Sequence, residues 1–199
     1  MLMRHRIIRT FTGPFVLMQA ADASLRTSWL NRETESLLKN SREDRSLLPD
    51  LADRIRRYFD GETDVDFSDI PLVCGGEFHR RCWRACRRIP RGQVRSYAQL
   101  AAAAGSPAAA RAAGQAMRNN PLPIITPCHR VVGSTGLLHG FGGTTNQRSK
   151  PLDIKRALLE MEGWAHIRKV SRMGTSALTD DVLPGLSERA ARTLTVAAS

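Results

Sequence analysis

The chain has 199 residues, 42% hydrophobic and 25% charged, enough to bury a core in one domain or two small ones. No run reaches the ~18 consecutive apolar residues of a membrane span. Arg4, Arg6 and Arg9 precede no apolar region with a small-residue cleavage site, which argues against a signal peptide and for a cytoplasmic protein. The net charge of +11 is uneven: residues 1–70 hold eleven basic and twelve acidic side chains, whereas residues 77–130 hold ten arginines and one acid, Glu77. A near-neutral segment followed by an Arg-rich one suggests two modules, the second of which meets phosphate or presents a solvated basic face.

In chain order, residues 7–12 and 15–19 read as strands turned at Gly13-Pro14 into a hairpin, and residues 25–30 as a third strand. Apolar positions 47, 48, 51, 55, 58 and 59 have helical spacing, entered through Pro49 and closed by Gly61. Residues 63–72 read as a linker or irregular crossover. This sheet plus helix over residues 1–70 suggests a scaffold, followed by a linker at 71–76.

The second module, residues 77–165, opens with a helix over 78–89. Phe78, Cys82, Trp83, Cys86 and Ile89 face inward and Arg80, Arg81, Arg84, Arg87 and Arg88 outward. Ser96 caps a second helix that stops at Gly105, and Ser106-Pro107 opens a third over 108–118. Two short helices across a Gly-containing turn, the second Ala-rich and carrying Arg111, fit a helix-turn-helix; they also fit an Ala-rich core hairpin. Ile124 and Ile125 read as a short buried strand that delivers Pro127, Cys128 and His129. Five glycines between 133 and 143 make a loop whose backbone can approach a ligand closely. Residues 155–162 read as the last helix, and 166–199, without sustained period, as a mobile tail. The class is α/β (α+β): a small sheet-plus-helix domain, then a mainly helical one with a winged-type helix-turn-helix.

Cys74, Cys82, Cys86 and Cys128 are too few and too clustered for a disulfide framework and read as thiols. Cys74, His79, Cys82 and Cys86 could be drawn as a zinc site, but Cys82 and Cys86 share a helix face with Trp83 and Ala85, where cysteine is a small core residue, so no metal is expected. Cys128 is different, because His129 and Arg130 follow it. A thiol of pKa ~8.5 needs a base or a positive field to attack as thiolate. Successive strand residues face opposite sides, so a water or a sharp bend must bridge Cys128 and His129. Glu162 is available to orient the imidazole. On chemistry alone Cys128 is a reactive thiol or a buried structural one.

Residues 118–132 (Arg-Asn-Asn-Pro-Leu-Pro-Ile-Ile-Thr-Pro-Cys-His-Arg-Val-Val) closely resemble the active-site signature of the O6-alkylguanine-DNA alkyltransferases, the methylated-DNA–protein-cysteine methyltransferases. Residues 89–101 and 109–118 resemble that family's helix-turn-helix in order and spacing, and 136–143 and 158–163 its base-binding loop and last helix. The resemblance covers roughly 77–163 and extends more weakly to Gly13-Pro14-Phe15 and residues 25–30. It implies that Cys128 accepts the alkyl group from O6-alkylguanine in double-stranded DNA, irreversibly and once per molecule, with no cofactor, as a monomer. It implies that His129 is the base through a water, that Glu162 orients it, and that the Tyr97 hydroxyl offsets charge on the leaving guanine. The carbonyls of Cys128 and Val131 would accept from the exocyclic amine, the Gly142 N–H would face O6, Phe141 would stack on the base, and Asn120 would tie the recognition helix to the active-site turn. Arg111 would fill the stack vacated by the flipped nucleotide, with Arg95, Ser96 and Arg118 on the DNA face and the Arg-rich helix touching phosphates.

Two features depart from the family pattern. Phe141 stands where the family usually has Tyr, which keeps the ring and loses the hydroxyl. Residues 144–153 lengthen the segment before the last helix, which bears on the register of Glu162. The competing readings are a non-catalytic binder of alkylated DNA, like the alkyltransferase-like proteins that lack the cysteine, and a Cys-His hydrolase. Cys128 with His129 argues against the first, and nothing besides that pair suggests the second.

Overall fold

The computed structural model describes residues 3–72, 75–134, 136, 138, 140–141 and 149–164. Met3–Ile8 (β1), Phe15–Gln19 (β2) and Leu25–Trp29 (β3) form an antiparallel meander, and Ser41–Glu43 (β4) adds parallel to β1, giving the order β3-β2-β1-β4. β2 is buried at its first four positions, as its unbroken apolar run requires. The first strand lies earlier than the expected 7–12: Arg4 pairs with Gln19 and Ile8 with Phe15, so residues 9–14 are the connection. Arginines at outward positions hide this strand from a hydrophobicity pattern. In the sheet, Arg4 is itself a cross-strand link, bonded to Gln19 Oε1 (2.6 Å) and Asp44 Oδ2 (3.2 Å).

A helix not anticipated, Arg32–Leu38 (α1), starts at Asn31, whose Oδ1 accepts the Thr34 N–H at 2.8 Å. Pro49–Phe59 (α2) has the expected bounds, with Pro49 at its start and Gly61 at φ +92 beyond its end. It lays Leu51, Ile55, Tyr58 and Phe59 against Ile8, Phe15 and Leu17 of the sheet, each large side chain contributing about 2 kcal/mol by leaving water. Residues 60–72 form an irregular crossover without helix or strand, yet Ile70 is buried and Arg54 grips Asp69 through two bonds of 2.6 and 2.9 Å.

Glu77–Arg87 (α3) buries Cys82, Trp83, Ala85 and Cys86, and the Trp83 indole donates to the Ala116 carbonyl at 2.8 Å. Arg87 corrects the expected outward set. It is half-buried, with Nε on Thr126 Oγ1 (3.1 Å) and Nη1 on the Ile70 carbonyl (2.6 Å), because those oxygens lie where α3 crosses the chain. Arg95–Ser96 (β5) leads into Tyr97–Ala103 (α4), closed at its N-terminus by a Ser96–Gln99 capping box.

The next helix, Ala110–Arg118 (α5), begins later than expected. Ser106 and Pro107 form a preceding turn in which the Ala109 N–H bonds the Ser106 carbonyl at 2.9 Å. Ala101, Ala104, Ala113 and Ala116 let α3, α4 and α5 pack tightly, so these alanines serve a core, while α5 leaves Arg111, Ala112, Gln115 and Arg118 exposed.

Ile124 and Ile125 are not a strand. They occupy a buried turn with Ile124 at φ +74, a strained value for a β-branched residue. Cys128–Arg130 is a 3-10 turn, and Val131–Val132 (β6) then pairs parallel with β5. The last helix, Lys150–Met161 (α6), starts five residues before the expected 155, with Pro151 in its first turn, so residues 150–153 of the apparent insertion are helix. Residues 166–199 and much of the glycine loop, Gly142 included, lie outside the described residues. The core around α2 also holds Leu122, Ile124, Ile125, Ile154 and Leu158, so the two segments meet over shared apolar packing at the turn that carries Cys128.

Candidate active site

Asn120 shapes the approach to the thiol. Its Nδ2 donates to the Thr126 carbonyl (2.8 Å), its Oδ1 accepts the Leu122 N–H (3.0 Å), and its amide also bonds the Cys128 thiol. Thr27 of β3 holds the same loop from outside, its N–H on the Pro121 carbonyl (3.0 Å) and its Oγ1 on the Pro123 carbonyl (2.9 Å). With Arg87 on Thr126, the strained turn is fastened from three sides, which is what keeps Ile124 at positive φ.

Cys128 is 8% exposed. Burial pushes its thiol pKa up, against the Asn120 hydrogen bond and the Lys155 charge, so at neutral pH the resting group is S–H. The 3-10 turn supplies the sharp bend that a strand lacks. It sends His129 inward, where Nε2 lies 2.9 Å from Glu162 Oε1. Glu162 is the C-cap of α6, and its carboxylate is saturated: Oε1 also accepts from Tyr58 Oη (2.7 Å) and Arg130 Nη2 (2.8 Å), and Oε2 from Arg130 Nε (2.9 Å).

Burial favours the neutral acid, but His129 and Arg130 outweigh it and hold Glu162 well below the usual carboxylate range. Burial also lowers the His129 pKa, outweighing the opposing pull of Glu162, so the imidazole is neutral at pH 7. An ionised Glu162 only accepts, which places the His129 proton on Nε2 and leaves Nδ1 basic. Arg130 is fixed in turn by the Ile89 carbonyl (2.6 Å). Gly92, at φ +73, passes so close that a Cβ there would lie 3.0 Å from the Glu162 carbonyl oxygen.

Lys155, on the buried face of α6, is 1% exposed, and burial lowers its pKa to about 8. Its Nζ donates to the Val131 carbonyl (2.6 Å) and sits 6.0 Å from the ring centres of Tyr97 and Phe141. The Val131 carbonyl expected to read the guanine amine is therefore already engaged. The Cys128 carbonyl likewise accepts the Val131 N–H, and each keeps one further lone pair. Tyr97 is half-buried against Gly114 of α5, and burial raises its phenol to about 12, so it stays a donor. Phe141 stands edge-on to Trp29 with ring centres 5.6 Å apart.

The structure gathers Asn120, Cys128, His129, Val131, Tyr97, Phe141 and Glu162 around Lys155 and the 3-10 turn. Arg111 and Arg118 are exposed on α5, and Arg95 is half-exposed with Nη1 on the Val94 carbonyl. Ser96 departs from the expected DNA face: it is buried, its hydroxyl accepting the Gln99 N–H at 3.1 Å, because the capping box turns it inward. Tyr58, Arg130 and Lys155 join the site beyond the residues expected from the sequence. Lys155 had a signal, a lone cation in the stripe Leu152, Leu158, Leu159; Arg130 had its place in the motif; Tyr58, 104 positions from Glu162, had none. No group of three or more His, Cys, Asp or Glu able to hold a metal occurs among the described residues, and no helix there is long and apolar enough to cross a membrane.

Residues 77–164 match the family model described as the 6-O-methylguanine DNA methyltransferase, DNA binding domain. The chain is 36% identical over 162 residues to the methylated-DNA–protein-cysteine methyltransferase of Mycobacterium tuberculosis, covering 81% of this chain and 93% of that one. It is 45% identical over 118 residues to the constitutive enzyme of that name from Bacillus subtilis, covering 57% and 67%. The M. tuberculosis protein solved in complex with DNA superposes with a TM-score of 0.65 at 36% identity, covering 80% of this chain and 92% of that one.

Proposed function

The chain belongs to the methylated-DNA–protein-cysteine methyltransferase family, and from that membership we propose that Cys128 takes the alkyl group of O6-alkylguanine in double-stranded DNA onto its own sulfur. The protein is thus a DNA-repair alkyltransferase that is consumed by its reaction, one chain per lesion, acting as a monomer in the cytoplasm, where thiols stay reduced. The observation that carries the residue assignment is the buried Glu162–His129 pair, 2.9 Å apart, with His129 on the 3-10 turn that also carries Cys128.

Neutral His129 takes the Cys128 proton through a bridging water. Lys155 stabilises the thiolate as it forms, a fixed charge acting where water is excluded. Sγ attacks the alkyl carbon in line, the carbon–O6 bond breaks with its electron pair on guanine, and a thioether remains on Cys128. Tyr97 donates its hydroxyl to the departing base, offsetting the charge that develops there. Reaching the lesion requires the nucleotide to leave the stack. Exposed Arg111 fills the gap, Arg95 and Arg118 meet the backbone, and Phe141 with the Gly142 loop receives the base.

The test is intact-mass and peptide analysis after incubation with duplex carrying O6-methylguanine. One methyl gained per chain, on Cys128 and absent in Cys128→Ala, supports the proposal. Tight binding without a mass change overturns it in favour of a non-catalytic binder, and multiple turnover in favour of a hydrolase.

A further inference from the structure

Tyr58 is not part of the Cys128 motif and belongs to α2, a helix of the first half of the chain. Its hydroxyl nevertheless donates to Glu162 Oε1 at 2.7 Å and lies 3.2 Å from His129 Nε2. The residue is 3% exposed, and its ring is held by Phe59 edge-on (5.5 Å) and by the Arg91 guanidinium 5.7 Å from the ring centre. Arg91 is itself anchored on the Gly61 and Met161 carbonyls, both at 3.2 Å, so it clamps the end of α2 to the end of α6. A tyrosine that only filled space would not need its oxygen at the one atom His129 uses.

We propose that Tyr58 is a positioning residue for alkyl transfer, a fixed donor from the first half of the chain that shares Glu162 Oε1 with His129 and thereby sets the basicity and tautomer of the imidazole. The inference rests on the proposed function of the site. Its logic is competition for one oxygen. A phenol donating to Oε1 takes up part of the carboxylate's charge, which would otherwise stabilise a protonated His129 more strongly. The groups facing His129 are Glu162 and Lys155 from α6, Arg130 from the 3-10 turn and Tyr58 from α2, with Arg91 behind the phenol. Of these, Tyr58 alone is a neutral donor, and desolvation together with the Glu162 charge keeps its proton on. Removing the hydroxyl returns that charge to His129 and raises its affinity for a proton.

The test compares wild type with Tyr58→Phe in single-turnover methyl transfer from saturating duplex between pH 5.5 and 8.5, and in an NMR titration of the His129 imidazole without DNA. The expected result is an unchanged endpoint of one methyl per chain, a step slowed up to about threefold on the acid side, and an acid limb and His129 titration both moved upward by about half a pH unit. Leu51→Ala, a core loss in the same helix, controls for reduced stability and should leave both pH midpoints in place. Superimposable titrations and acid limbs for Tyr58→Phe and wild type would overturn the proposal, as would an equal shift in Leu51→Ala. A wild type that transfers no methyl would sink the alkyltransferase reading, while the imidazole titration still decides the coupling.

Discussion

Lys155 donates to the Val131 carbonyl at 2.6 Å from a position shut off from solvent, so an ammonium group lies buried beside the thiol that is to become anionic. Burial lowers its pKa from 10.5 to about 8. Between those values the unfolded chain holds the proton more tightly than the native one, so this residue makes stability rise as pH climbs from about 8 toward 10.5. Lys155→Met keeps the shape and removes the titration. Urea unfolding at pH 7.5 and pH 10 should show wild type gaining on the order of 2–3 kcal/mol relative to the variant. Alkyl transfer in the variant should fall about tenfold or more, because the developing thiolate loses its only buried cation from α6. Equal gains with pH would refute the buried charge.

Glu162 and His129 predict the acid side. The lowered Glu162 pKa contributes stability that is complete above about 4.5 and is lost as pH falls below it; the lowered His129 pKa works in the same direction from 6.5 downward. A His129→Asn background isolates the carboxylate. There, adding Glu162→Gln should cost about 3 kcal/mol at pH 7, since Arg130 is left without its buried partner. It should also flatten the stability loss between pH 4.5 and 3. Parallel pH slopes with and without Glu162 would mean that Arg130 and Tyr58 do not hold it ionised.

Asn120 should couple stability to thiol reactivity. Asn120→Ala removes the bonds to the Thr126 carbonyl and the Leu122 N–H, at a cost of about 1–3 kcal/mol. It also removes a hydrogen bond that favours the thiolate. Reaction with free O6-benzylguanine should slow at neutral pH and recover partly as pH is raised. A uniform loss at every pH would reduce Asn120 to a brace for the loop.

What could be read in advance depended on how far apart the cooperating residues stand. The reactive turn is contiguous, so its motif was legible, as were the apolar stripes of α2 and α3. Strand β1 was misplaced because its arginines are satisfied only by Gln19 and Asp44, partners invisible to a local window. Ser-Pro signals cut both ways. Ser106-Pro107 has the chemistry of a helix start yet forms a turn, whereas Ser149-Lys150-Pro151 does open α6. Ile124 and Ile125 have strand propensity, but Asn120, Thr27 and Arg87 fold the loop into a turn, tertiary bonds overriding local preference. Tyr58 was out of reach for the same reason, since its value lies in a contact with α6.

Arg111 tests the DNA half of the mechanism apart from the chemistry. It is exposed in the first turn of α5, on the face that also carries Ala112, Gln115 and Arg118; Gly114, at the edge of that face, lies toward Tyr97, where an added Cβ would stand 3.8 Å from the ring. Arg111 makes no hydrogen bond or ion pair among the described residues, so the effect of its removal is expected from what it meets outside the protein. Arg111→Ala should leave thermal unfolding unchanged and the reaction with free O6-benzylguanine within about twofold. Repair of O6-methylguanine in duplex should fall by at least about tenfold, because the extruded nucleotide is no longer replaced in the stack. Arg118→Ala, by contrast, should weaken duplex binding through one lost phosphate contact and lower the salt dependence by about one ion. Equal losses on the free base and on duplex for Arg111→Ala would remove it from nucleotide flipping and return α5 to a purely structural role.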